Sequence, residues 1–421
     1  MKTNKKLISG EYQRILHNAF HLLVLQGANY ILPLILLPYF VRVLGIETYG
    51  RIAFTLAIIT IFRGVVAYGF ELTGTKQIAV LRDQKTKLVD IYSAILMVKL
   101  ILMGLCFCVL LVGGGFIGKI EENYSLFLCG FLLVIGDLLF PVWFFQGIEK
   151  MQYISIIRIS HKVIYFVLVL LLVNSPDDFL LVPFIDGVIS IVAGGCCLYL
   201  INKKYQIKPT LPSIDNVVYQ MKNGWSVFVS RIAVVFYTSF NVAALGFVSE
   251  EKIVGYYTIA EKIYMAARGL FSPFLNSLFP FLSKKYHFNK KGFYLVASKI
   301  FFIYVILTFL GSMGLYFFSE QIVYLVSGTT TKQIVDMLNV FAFSFLFCVG
   351  PYLSGMLVIK GEHNKLLKVT IYTSLINILF LYFFISEYGA IGIVYLFFIT
   401  QLFQCILQIK YNSELINFRN I

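Results

Sequence analysis

Apolar runs long enough to cross a bilayer recur along this chain, and that recurrence constrains its fold more than anything else. A membrane-spanning helix needs about 20 predominantly apolar residues. Twelve stretches qualify: 18–41, 50–70, 91–115, 124–145, 153–173, 179–201, 225–248, 254–282, 296–318, 334–359, 366–386 and 389–409. The two-residue alternation of barrel strands is absent, so the crossings are read as helices. Only 13% of the 421 residues are charged, where an ordinary soluble domain carries about 25%. A soluble enzyme and a disordered chain are therefore excluded. The expected fold class is all-α, a polytopic membrane protein of 12 transmembrane helices.

A net charge of +14 would elsewhere suggest nucleic acid. In a membrane protein basic residues collect in cytoplasmic loops and face anionic lipid, so the expected partner is the bilayer and no nucleic acid. Alternate loops and the two tails hold twenty-four Lys and Arg, from Lys2, Lys5, Lys6 and Arg14 through Lys203, Lys204 and Lys208 to Lys410 and Arg419. The opposite loops hold five: Arg42, Arg51, Lys119, Lys252 and Lys332. Both termini are thus expected in the cytoplasm, as an even number of crossings requires. The polar opening MKTNKKLISGEYQRILHNAF is too long for a cleaved signal, so the first helix is expected to stay.

Several sequence features invite chemistry that their context refuses. All seven cysteines fall inside apolar spans, as small buried hydrophobes do. Gly113–Ile120 spells most of a phosphate-binding loop, but it lacks the Ser/Thr for magnesium and follows a membrane helix on the non-cytoplasmic side. Asn123-Tyr124-Ser125 is a glycosylation sequon in spelling only, at a membrane surface. The five histidines show no metal-ligand spacing, so neither metal nor cofactor is expected. The longest loop, about 203–224, has no room for a catalytic module or an ATPase domain. A membrane glycan polymerase or ligase would need catalytic groups on a sizeable outer loop, and the longest here is about 319–333.

The two halves echo each other. Leu44-Gly45, Tyr49-Gly50 and Ala53 are answered by Leu245-Gly246, Gly255-Tyr256-Tyr257 and Ala260. Pro141 with Gly147-Ile148-Glu149-Lys150 is answered by Pro351 with Lys360-Gly361-Glu362. Six helices per half give both halves one orientation, a plan common in transporters, with the substrate held at the repeat interface. The division read from this is an N-terminal lobe at 1–202, a cytoplasmic linker at 203–224 and a C-terminal lobe at 225–421.

These same residues carry a family resemblance. Pro38-Tyr39-Phe40-Val41-Arg42-Val43-Leu44-Gly45 with Tyr49-Gly50 resembles the first hairpin of bacterial O-antigen and polysaccharide flippases of the Wzx type. Phe140 to Met151 (FPVWFFQGIEKM) is similar to their fourth-helix exit, and Val254–Ile263 ending at Pro280 to their eighth helix. Multidrug exporters of the same superfamily share the first motif more loosely. The resemblance spans essentially the whole chain. It implies two six-helix lobes around a central cavity, and an undecaprenyl-pyrophosphate-linked oligosaccharide moved across the bacterial inner membrane without bond chemistry. A polysaccharide polymerase and a chain-length regulator are the partners expected beside it.

An ionisable side chain at mid-membrane costs about 3 kcal/mol to insert, so each must face protein or water. The cations Arg63, Lys99, Arg231, Lys262 and Arg268 outnumber the anions Asp137, Asp186 and Glu261 within the spans. Arg158 and Lys162, one turn apart, extend the excess. A pyrophosphate headgroup needs such donors to replace its water, whereas a drug/cation antiporter would show acids in excess. The five cations are the expected substrate contacts, with Trp143 offered to sugar rings. Asp137, Glu261 and Asp186 are the candidates for ion coupling. Asp137 precedes Pro141 by four residues, where the helix is expected to kink.

Overall fold

The computed structural model describes residues 32–415, and the regular structure there is all helical. In chain order the helices are α1 (Leu32–Leu44), α2 (Ile46–Ala67), α3 (Phe70–Leu81), α4 (Lys85–Phe116), α5 (Gly118–Glu121) and α6 (Tyr124–Leu139). Next come α7 (Val142–Gly147), α8 (Met151–Leu172), α9 (Leu181–Tyr205), α10 (Ile214–Val248), α11 (Glu251–Gly269) and α12 (Ser272–Phe288). The chain continues through α13 (Lys290–Phe317), α14 (Ser319–Ser327), α15 (Lys332–Ser344), α16 (Gly350–Ile359) and α17 (His363–Tyr411).

Among the described residues eight stretches are long and apolar enough to cross a membrane, and a ninth if Ile214–Val235 and Thr238–Val248 form one crossing. The first expected span, 18–41, begins outside the described residues, as do the basic residues of the N-terminal tail and Arg419. α11 and α12 cover the expected span 254–282 but fall short of that apolarity, because Glu261, Lys262 and Arg268 dilute it. The last two expected spans form the single 49-residue run α17. At 1.5 Å per residue such a run is about 74 Å long, far beyond a hydrocarbon core of about 30 Å. Gly389 resolves this: its φ of 62° and ψ of −143° break the helix in two at the expected boundary.

Two breaks bear on the sequence reading, the first a departure from it and the second as expected. The loop expected after the second span is largely helix: α3 follows α2 across Tyr68 and Gly69, both left-handed. The fourth span divides at Phe140 and Pro141 into α6 and α7, at the proline expected to kink it.

The chain packs as two compact units. One contains Thr55–Val235; the other contains Pro33–Phe54 and the described chain from Phe236. In the first, α6 lies along α9 at close range because glycines line the contact. A Cβ at Gly136 would come within 2.8 Å of the Ser190 backbone, and one at Gly194 within 3.0 Å of the Leu139 backbone. Small residues let membrane helices approach this closely. The second unit is built on aromatic packing: Tyr264 stacks on Phe341 at 5.1 Å, and Phe397 meets Tyr264 edge-on at 5.4 Å.

The sequence repeat has local structural counterparts. Lys150 N–H donates to Phe145 O and Glu362 N–H to Leu357 O, both at 2.9 Å, five residues back. The residue before each, Glu149 or Gly361, is left-handed. Both helix ends therefore close with the same Schellman-type turn. Within the second unit the repeat glycines of α2 and α11 also meet. A Cβ at Gly50 would lie 2.8 Å from the Gly255 nitrogen, so the two helices cross backbone to backbone.

Candidate functional site

The site begins with a missing hydrogen. Pro141 has no N–H, so the carbonyl of Asp137, four residues back, loses its helical partner. The Val142 N–H, which would serve Leu138, bonds Phe140 O at 2.9 Å instead. Lys99 of α4 fills the gap: its Nζ donates to Asp137 O at 2.6 Å and to Leu138 O at 3.4 Å. A buried ammonium thus caps the carbonyl end of α6, where the helix dipole favours positive charge.

The side chain of the same Asp137 faces the other way. Arg63 of α2 donates Nε to one carboxylate oxygen at 2.5 Å and a second nitrogen to the other at 3.3 Å. This is the forked geometry that fits guanidinium to carboxylate. On α3, Glu71 pairs with Arg231 of α10. On α9, Asp186 meets His161 of α8, Oδ1 to Nε2 at 3.0 Å, with Ser190 Oγ 3.4 Å from that nitrogen. Each acid of the cluster has a basic partner from another helix.

These pairs line two adjoining chambers of about 150 and 310 Å³, which share Arg63, Asp137, Phe140 and Arg158 as a common wall. Lys99, Glu71 and Trp143 complete the smaller; His161, Lys162, Asp186 and Ser190 belong to the larger. Four Lys or Arg side chains line the pair of chambers against three acids, and Arg231 answers one acid from outside the lining. The excess is therefore cationic.

The structure brings together Arg63, Lys99, Asp137, Trp143 and Asp186 from the sequence candidates, with Arg231 in the same unit. Arg268, Lys262 and Glu261 lie on α11 in the second unit. Lys262 is exposed, while Arg268 lies close enough to Tyr304 and Cys348 to act on them electrostatically. Trp143 is 2% exposed, with its ring against Tyr92 at 5.7 Å and the Gly74 backbone beneath it. It is a wall of the smaller chamber rather than an open stacking platform, and its indole N–H has no partner among the described residues.

Glu71 and His161 were not singled out from the sequence. Glu71 falls in the segment read as a loop, which hid its register. The signal for His161 was present: 158, 161 and 162 are spaced i, i+3 and i+4, a polar stripe on an otherwise apolar helix. The Gln146–Met151 motif packs α7 on α3. Thr75 Oγ1 donates to Gln146 Oε1 at 3.1 Å, and a Cβ on Gly147 would come within 3.0 Å of Thr75 O. The sequon residue Asn123 is buried and donates to Lys119 O at 3.0 Å.

Residues 15–285 match the family model described as "Polysaccharide biosynthesis protein". The chain belongs to that family. A Shigella dysenteriae protein described as a "Putative O-antigen transporter" is 30% identical over 401 residues, 93% of this chain and 98% of its own. An Escherichia coli K12 protein of the same description is 31% identical over 285 residues, 67% of this chain and 68% of its own. Among solved structures, an inward-facing multidrug resistance MATE family transporter of the MOP superfamily superposes with a TM-score of 0.67. It covers 94% of this chain and 96% of its own at 18% identity, a likeness of fold. This member of the polysaccharide biosynthesis family is a multi-pass membrane transporter, as the sequence resemblance implied, and not an enzyme.

Proposed function

We propose that this transporter moves an undecaprenyl-pyrophosphate-linked oligosaccharide from the inner to the outer leaflet of the bacterial inner membrane. The diphosphate-sugar headgroup enters the cationic chambers from the cytoplasm, while the polyprenyl tail stays in lipid. Alternating access of the two lobes, which the sequence divides at 203–224, carries it across, both termini remaining cytoplasmic. No bond is made or broken. Arg63, Lys99, Arg231, Arg268 and Lys262 supply positive potential along the path, and Asp137, Asp186 and Glu261 are the groups available to an exchanging ion. The polymerase and chain-length regulator act on what it delivers.

The observation that carries this reading is the cation excess of chambers whose acids are each already paired. A dianionic headgroup needs donors that the protein has not neutralised; an exporter of cationic drugs needs the reverse. Deleting the gene should leave lipid-linked oligosaccharide on the cytoplasmic leaflet, measured by accessibility to an impermeant sugar-oxidising reagent in oriented vesicles. Accumulation on the outer leaflet would sink the proposal.

A further inference from the structure

The geometry points to Arg158 as the residue that grips the diphosphate, a role that rests on the substrate reading above. Arg63 and Lys99 of the chamber walls, and Arg231 beside them, are already engaged. Arg63 is forked onto Asp137, and Lys99 is held by two backbone carbonyls. Arg231 is paired to Glu71, and His161 faces Asp186. Arg158 makes no ion pair or hydrogen bond among the described residues. Its guanidinium carbon lies 5.7 Å from the centre of the Phe140 ring. Both chambers count Arg158 and Phe140 in their lining, so this cation stands at the wall between them.

Cation–π stacking orients a guanidinium plane without consuming its N–H groups. A planar fork held in this way suits two phosphate oxygens at once, which a lysine ammonium does not. Trp143, 2% exposed, walls the smaller chamber beside it. Phe140 holds its position because it sits at the helix break that Pro141 makes and Lys99 caps. That break therefore positions the fork. Lys162, one turn along α8 in the larger chamber, adds charge where the sugar side of the headgroup would lie.

The test uses the full chain in phosphatidylcholine nanodiscs. The chain has two tryptophans, so Trp225→Phe leaves Trp143 as the sole indole reporter. A short-chain polyprenyl diphosphate should change Trp143 emission saturably, and inorganic pyrophosphate should do so more weakly. Arg158→Gln should raise the Kd for the polyprenyl diphosphate at least about tenfold, the scale of one lost charge-assisted contact. Arg158→Lys should fall between, and it keeps the test open should the glutamine variant not fold. Arg82→Gln, exposed and outside the chambers, should bind as the parent does. If both Arg158 variants bind like the parent, this assignment is overturned and the substrate reading survives. If the parent binds no diphosphate, the substrate reading falls and takes the assignment with it. If phosphatidylglycerol nanodiscs abolish the response, the site is one for anionic lipid in general and the proposal is overturned.

Discussion

Replacing Lys99 with methionine tests whether a proline break and a buried lysine form one structural unit. The substitution keeps the volume of the stem and removes the ammonium that donates to Asp137 O at 2.6 Å and Leu138 O at 3.4 Å. One charge-assisted hydrogen bond contributes about 1.5–3 kcal/mol, and a buried carbonyl left without a partner costs about 1–3 kcal/mol. Removing a buried charge returns part of that, since its own desolvation no longer opposes folding. The net loss expected is about 2–3 kcal/mol, read as a lower unfolding midpoint in detergent.

The decisive measurement is the cycle with Pro141→Ala. Alanine restores an N–H four residues after Asp137, so the carbonyl regains a helical donor and depends less on Lys99. Lys99→Met should then cost less in the alanine background, with a coupling of about 1 kcal/mol. Coupling within about 0.3 kcal/mol of zero would refute the reasoning, because independent sites add to about that accuracy.

Three further outcomes are expected. Gly50→Ala should lower the unfolding midpoint, because its Cβ would lie 2.8 Å from the Gly255 nitrogen and force α2 from α11; an unchanged midpoint would contradict that crossing. Exchanging Arg63 and Asp137 should recover part of the loss seen with either reversal alone, by about 0.5–1 kcal/mol given that both side chains are more than a third exposed. Burial pushes the Glu362 carboxyl up, but the Lys365 hydrogen bond and the charges of Lys360 and Lys365 outweigh it and hold it below the usual carboxylate range. That contribution to stability is present above the unfolded carboxylate pKa and is lost as pH falls through the folded one. Glu362→Gln should therefore flatten this part of the acid limb in midpoint-against-pH curves.

What the sequence revealed, and what it hid, follows from the range of the forces involved. Apolar length and Pro141 act locally, so the helices, the break in the fourth span and the Gly389 boundary were legible. The cation excess was legible too, because composition counts charges. Pairing was not: Arg63 and Asp137 are 74 residues apart and Arg231 and Glu71 are 160 apart, so only the fold brings them together. Glu71 was lost to a single misplaced break at Tyr68 and Gly69, two left-handed residues of which only the glycine advertises itself. The consequence for function is an inversion of rank. Arg63, Lys99 and Arg231, three of the five expected substrate contacts, are those that the fold engages with acids and carbonyls. Arg158 entered the sequence reading only as an extension of the cation excess, yet among the described residues it lies against the Phe140 ring and makes no ion pair or hydrogen bond. In a membrane transporter the charge with no protein partner carries the most information, and sequence position alone cannot identify it.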